Sequence, residues 1–101
     1  MKILELPLKK EWYNMIESGE KREEYREIKR YWQKRLAFYF GNILVCTNPH
    51  DYTHVRFRYG YTKRTMLYKI DEIIIGRGNP NWGAPTDRDV FIIKFHENEN
   101  N

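Results

Sequence analysis

Residues 19–26 read Gly19-Glu20-Lys21-Arg22-Glu23-Glu24-Tyr25-Arg26, and the chain changes character across this octet. Upstream of it, Leu8, Trp12, Met15 and Ile16 recur at i, i+4, i+7 and i+8. That spacing is one face of a helix, with Lys9, Lys10, Glu11 and Glu17 on the solvated side, and Gly19 supplies the expected stop. Beyond the glycine the helical period is lost, and residues 21–28 read as a charged, extended segment. A strand alternates its side chains with a period of two, which places Glu24 and Arg26 on one face and Tyr25 on the other. Lys21 falls at the mouth of the turn. A helix delivered by a glycine turn into a charged strand is the first half of an α+β reading.

Working outward, residues 2–6 alternate charged and apolar and predict a short strand, with Pro7 ending it at the start of the helix. A second short helix is expected over residues 28–36, with Ile28, Tyr31, Trp32 and Leu36 on one side. Residues 36–47 are apolar and β-leaning, interrupted by Gly41-Asn42 as a turn. Residues 48–51 are a loop. Residues 54–61 give the clearest alternation: Val55, Phe57, Tyr59 and Tyr61 point one way, Arg56 and Arg58 the other. A longer strand covers residues 65–75 and ends at Gly76. Residues 79–89 hold two prolines and Gly83 and form a loop. A last strand covers 90–96, and 97–101 is a polar tail. The order β-α-β-α followed by β elements predicts one domain over residues 1–101, α+β, with a mostly antiparallel and partly closed sheet and two to three short helices.

A chain of 101 residues with 41% hydrophobic content supports one core and buries a modest fraction of its surface. Lys and Arg number 18 against 14 Asp and Glu, a net charge of +4. That bias is compatible with nucleic acid and does not demand it. A single cysteine, Cys46, excludes an internal disulfide and a cysteine-based zinc site. No apolar stretch approaches the ~20 residues of a membrane span, so no membrane partner is expected. The first residues lack a signal-peptide core. These features together predict a cytoplasmic protein.

Several constellations carry chemistry. Glu24 and Arg26 can pair on their shared face, and Arg26 keeps donors for a phosphate, a carboxylate or a base edge. Lys21 adds a second cation. By charge alone, the same octet also reads as a solvated strand. Arg56 and Arg58 beside aromatics suit single-stranded nucleic acid, although strict alternation assigns those rings to the core. Trp82 sits in a Gly- and Pro-rich loop, where it can stack on a base or plug a barrel end. His50 and His54 lack a third ligand, so no metal site is expected. Cys46, among Ile43, Leu44 and Val45, reads as a buried thiol. Trp12, Trp32 and Met15 read as core.

The pattern Gly19-x-Lys21-x-x-Glu24-x-Arg26 resembles the G-x-K-x-x-E-x-R signature of the ASCH (activating signal cointegrator homology) domains, whose fold is PUA-like. The likeness extends to the helix ending in Ser18-Gly19, to Arg56-Phe57-Arg58, to Ile73-Ile74-Ile75-Gly76 with Trp82-Gly83, and to the last strand. It implies a small β-barrel with helices closing one side. It also implies a cleft on the signature residues that takes RNA or a modified nucleoside or nucleotide, without a cofactor. Lys21, Glu24, Arg26, Arg56, Arg58 and Trp82 are then the candidate ligand contacts. Some members are nucleoside amidohydrolases in which the signature lysine is catalytic, and ribonuclease activity is ascribed to others. On that alternative Lys21 and Glu24 are the catalytic candidates. Glu24 stands where the amidohydrolase-like members have a threonine, and residues 76–89 hold no glutamate where they supply one. The expectation is therefore a binding module first and a hydrolase second.

Overall fold

The computed structural model describes residues 1–97. Strand β1 (Ile3–Leu8) is followed by helix α1 (Lys10–Glu17), β2 (Glu23–Arg26), α2 (Arg30–Leu36), β3 (Ala37–Phe40) and β4 (Ile43–Thr47). Then come β5 (His54–Tyr59), β6 (Thr65–Gly76), a 3-10 turn (Pro80–Trp82) and β7 (Val90–Glu97). Five strands form one sheet in the order β1-β5-β6-β7-β2, and β3 and β4 form a separate hairpin. Only the β1–β5 pair in the large sheet is parallel. The mixed, mostly antiparallel α+β architecture expected from the sequence is present.

The sheet curls into a half-barrel. Its twelve-residue strand β6 pairs with β5 through its first part and with β7 through the rest. Its register slips between Ile70 and Glu72. Such a bulge bends a strand and increases its twist. The curl brings the two edge strands together: Arg26 Nη2 of β2 donates to Pro7 O of β1 over 3.1 Å. Alternate residues Leu4, Leu6 and Leu8 of β1, Val55 and Phe57 of β5, and Phe91, Ile93 and Phe95 of β7 fill the concave side. Tyr13 and Ile16 of α1 and Leu36 of α2 complete this core.

Several expectations change in detail. Pro7 does not end β1: the strand runs through it to Leu8, which is core on a strand and not the start of the helical face. Proline is tolerated there because β1 is an edge strand, and its carbonyl faces outward to Arg26. Tyr13, not Trp12, is the fully buried aromatic of α1. Strand β2 covers four residues, not eight, and α2 begins at Arg30. Tyr31 is exposed and stacked by Arg35, whose guanidinium lies 3.6 Å from the ring centroid. Tyr61 is 95% exposed, because the chain turns at Gly60 before the alternation reaches it.

The largest correction concerns the hairpin. Its turn falls at Gly41-Asn42 as expected, yet Ile43, Leu44, Val45 and Cys46 are all exposed. Cys46 is therefore an exposed thiol and not a buried one. The hairpin pairs with no strand of the large sheet, and beyond Ala37 and the half-buried Tyr39 its apolar residues stay exposed. Glu97 is the last residue of β7, and the remainder of the expected polar tail, 98–101, lies outside the described residues.

Candidate functional site

The site forms where α1 hands the chain to β2. Gly19 takes a left-handed conformation, φ +86°, which a side chain would disfavour. Lys21 N then donates back to Met15 O over 3.0 Å, and this return turns the Lys21 side chain into the protein. The register of β2 against β7 fixes the rest. Glu24 faces Ile93 and Arg26 faces Phe91, so both point to the core side, while Tyr25 pairs with Ile92 on the opposite face.

The three charges form one buried network. Lys21 is 1% exposed and Glu24 6%. Lys21 Nζ donates to Trp82 O and meets Glu24 Oε1 at 3.1 Å. It also lies 5.0 Å from the centroid of the Trp12 ring and 4.8 Å from that of Tyr25, where aromatic faces attract a cation. Glu24 Oε1 accepts from Tyr25 N, and its Oε2 accepts from Arg26 Nη2, each at 3.1 Å. Arg26 stacks over Trp32, and its Nε is buried with no hydrogen-bond partner. Burial lowers the pKa of Lys21, outweighing the opposing pull of Glu24.

The residue 77–89 loop is locked onto this network from outside. Tyr25 Oη accepts from Asn79 N over 2.9 Å and donates to Glu23 Oε1 over 2.8 Å. Gly78 packs so tightly that a Cβ would stand 2.5 Å from the Tyr25 ring. Asn79 Oδ1 caps the 3-10 turn by accepting from Asn81 N. Gly83, at φ +101°, lies against Trp12 with room for a Cβ only at 3.0 Å. Burial raises the pKa of the Tyr25 hydroxyl, so it stays a neutral donor.

Between these elements lies a concavity of about 220 Å³ bordered by Pro7, Lys9, Trp12, Glu24, Tyr25, Arg26 and Trp82, among others. It is smaller than the ~300–1,000 Å³ typical of drug-sized ligand sites. Three aromatic residues offer stacking surface, and the Arg26 guanidinium, bonded through Nη2 to Glu24 and Pro7 O, borders it as a cation. Lys21 does not line it. The ammonium is spent on Trp82 O, Glu24 and two ring faces, so its role there is to hold Glu24 and the loop.

Of the residues singled out from the sequence, Lys21, Glu24, Arg26 and Trp82 come together. Arg56 and Arg58 do not. They lie on the outward face of β5, where Arg56 pairs with Glu5 at 2.7 Å and Arg58 donates to Thr62 O. Trp12 is the contributor the sequence assigned elsewhere: it is half-buried and borders the concavity. A helical face identifies it as apolar, but only the loop arriving from residues 82–83 turns it into a wall. His50 bonds to Lys34 O and His54 to Thr53 Oγ1. Among the described residues no group of three or more potential metal ligands assembles. Comparison of the chain with family models, with curated proteins and with solved structures finds no match.

Proposed function

We propose that this chain is an ASCH-like, PUA-like module that binds RNA or a nucleotide in the cleft built on Gly19-x-Lys21-x-x-Glu24-x-Arg26. The observation that carries the reading is the small concavity bordered by Trp12, Tyr25 and Trp82, with the Arg26 cation on its edge. A buried lysine–glutamate–arginine network costs desolvation that well-packed apolar residues avoid, and such networks concentrate at functional sites. In this reading a base stacks on the aromatic wall, Arg26 meets phosphate or a base edge, and Glu24 orients Arg26. Lys21 is a positioning residue behind Glu24. The curl of the sheet, with Arg26 linking its edges, supports the barrel-like part of the proposal.

A hydrolase on the same cleft is the second reading: burial lowers the Lys21 pKa, the direction a general base requires. The two readings separate in one experiment. The folded chain is titrated with a labelled single-stranded RNA at low salt and incubated with acylated cytidine, beside Arg26→Ala and Lys21→Met. Binding that weakens about tenfold or more with Arg26→Ala, a loss matching one charge-assisted contact, supports the module. Undetectable affinity in a folded sample sinks it, and turnover dependent on Lys21 favours the hydrolase.

A further inference from the structure

The chain's whole net charge resides in one place. Residues 28–50 contain Lys29, Arg30, Lys34 and Arg35 and no carboxylate, so this segment equals the +4 of the entire molecule. Elsewhere, arginines are largely tied to acids, as in Arg56–Glu5, Arg64–Glu17 and Arg77–Asp89. Among the described residues, none of the four cations on and just before α2 has an ion-pair partner. Immediately after them, residues 38–49 carry no charge at all.

That uncharged segment is the hairpin, and it is apolar and exposed. The pairing of Phe38 with Cys46 and of Phe40 with Ile43 sets these four on one outward face. Phe40 and Ile43, which flank the turn, are 76% and 68% exposed, and Val45 adds 57%. Between α2 and the hairpin runs a groove of about 580 Å³ with Arg30, Lys34 and Gln33 on one side and Phe38 and Tyr39 on the other. Exposed apolar patches rimmed by polar groups mark interaction surfaces.

We infer that α2 and the β3–β4 hairpin dock on an anionic lipid bilayer surface, with the hairpin turn in the interface and the cations over the headgroups. Charge decides among the occupants. A second copy of this chain would bring two uncompensated +4 segments together, which repels. Nucleic acid satisfies the cations and the phenylalanines but offers nothing to Ile43, Leu44 and Val45. A bilayer surface uses both halves: apolar insertion and cationic attraction are the two signals that stable peripheral attachment requires. No helix among the described residues is long and apolar enough to cross a membrane, and surface docking needs none. The inference stands apart from the nucleotide-binding cleft, whose residues it does not use.

The test is flotation of the full chain with vesicles of phosphatidylcholine alone and of phosphatidylcholine with phosphatidylserine at roughly three to one. Cys46, the sole cysteine and exposed, accepts a polarity-sensitive fluorophore on the hairpin as a second readout. Expected are partition onto the anionic vesicles only, reversal by salt, and a blue shift of the probe. Arg30→Ala with Lys34→Ala weakens partition roughly 25-fold, about fivefold per cation. Phe40→Glu with Ile43→Glu abolishes the blue shift. Equal partition onto neutral vesicles, or no blue shift with the unsubstituted protein, overturns the inference. So does dimerisation that Phe40→Glu abolishes, or RNA binding through these residues without vesicle partition.

Discussion

Two charged regions of this molecule behave in opposite ways. At the start of β2, Lys21 and Glu24 are buried and, with the partly buried Arg26, paired against one another, with Trp82 O and the rings of Trp12 and Tyr25 completing the shell. On and just before α2, four cations have no ion-pair partner among the described residues, beside a hairpin most of whose apolar side chains are exposed. The first region spends its charge on local order and leaves one guanidinium N–H, Arg26 Nε, buried without a hydrogen-bond partner. The second contributes little to the core beyond Leu36, Ala37 and partial burial of Trp32 and Tyr39. Charge density in a sequence therefore does not measure charge availability. The densest run buries two of its charges, Lys21 and Glu24, and the sparser one carries the net field.

The contrast breaks most visibly at Glu24. Removing its carboxylate by Glu24→Ala strands Lys21 as a buried, uncompensated cation. We expect a loss of about 3–5 kcal/mol in denaturant unfolding. If the loss is within the range of an ordinary surface change, the network is not the buried unit described here. The sharper version replaces both partners: Lys21→Met with Glu24→Leu restores stability to within about 1 kcal/mol of the unsubstituted chain. RNA affinity stays lost, which separates a network kept for the site from one kept for the fold.

Gly78→Ala comes next. A methyl group there meets the Tyr25 ring and the Ala84 side chain at about 2.5 Å. Overpacking of this kind costs about 1–3 kcal/mol. Thermal unfolding reads the loss, and reduced Trp82 fluorescence quenching by ligand reads the loosened loop.

A third effect is on pH dependence. Burial holds the Tyr25 pKa above its ordinary 10.0, and those of Tyr13 and Tyr68 move the same way. The unfolded chain gives up these protons first, so their contribution is fully present below pH 10 and is lost as pH rises above it. Lys21 runs the other way: its pKa is lowered from 10.5, so the cost of burying its charge is relieved as pH rises towards that value. Stability measured from pH 8 upward should therefore fall once the tyrosines of the unfolded chain ionise. Tyr25→Phe should make that alkaline limb shallower, and Lys21→Met should remove the opposing rise below it.

The smallest expected change lies on the other region. Phe40→Glu and Arg30→Ala should each alter unfolding free energy by no more than about 0.5 kcal/mol, as surface positions do. A larger loss from either would mean that the hairpin face is structural after all.

Local events were legible in the sequence. Periodicity placed a helix ahead of Gly19 with Ile16 inward but missed Tyr13, Gly19 ended it, Gly41-Asn42 turned the hairpin, and alternation placed Val55 and Phe57 inward with Arg56 and Arg58 outward. Period two also placed Glu24 and Arg26 on one face, and the structure pairs them at 3.1 Å. These follow from backbone geometry acting over a few residues. Where each face ends up depends on contacts between residues far apart in the chain. Lys21 became a buried cation because the loop from Gly76 onward returns Trp82 to cover it, a contact between residues far apart in sequence. Trp12 became a wall by the same return. Proline 7 stayed in β1 because that strand lies at an edge, and sheet order is set by pairing across the whole chain. Cys46 and its apolar neighbours stayed exposed on a hairpin that pairs with no strand of the large sheet. A hydrophobic stretch states a preference for burial; only the packing of the rest of the molecule supplies, or withholds, the surface to satisfy it.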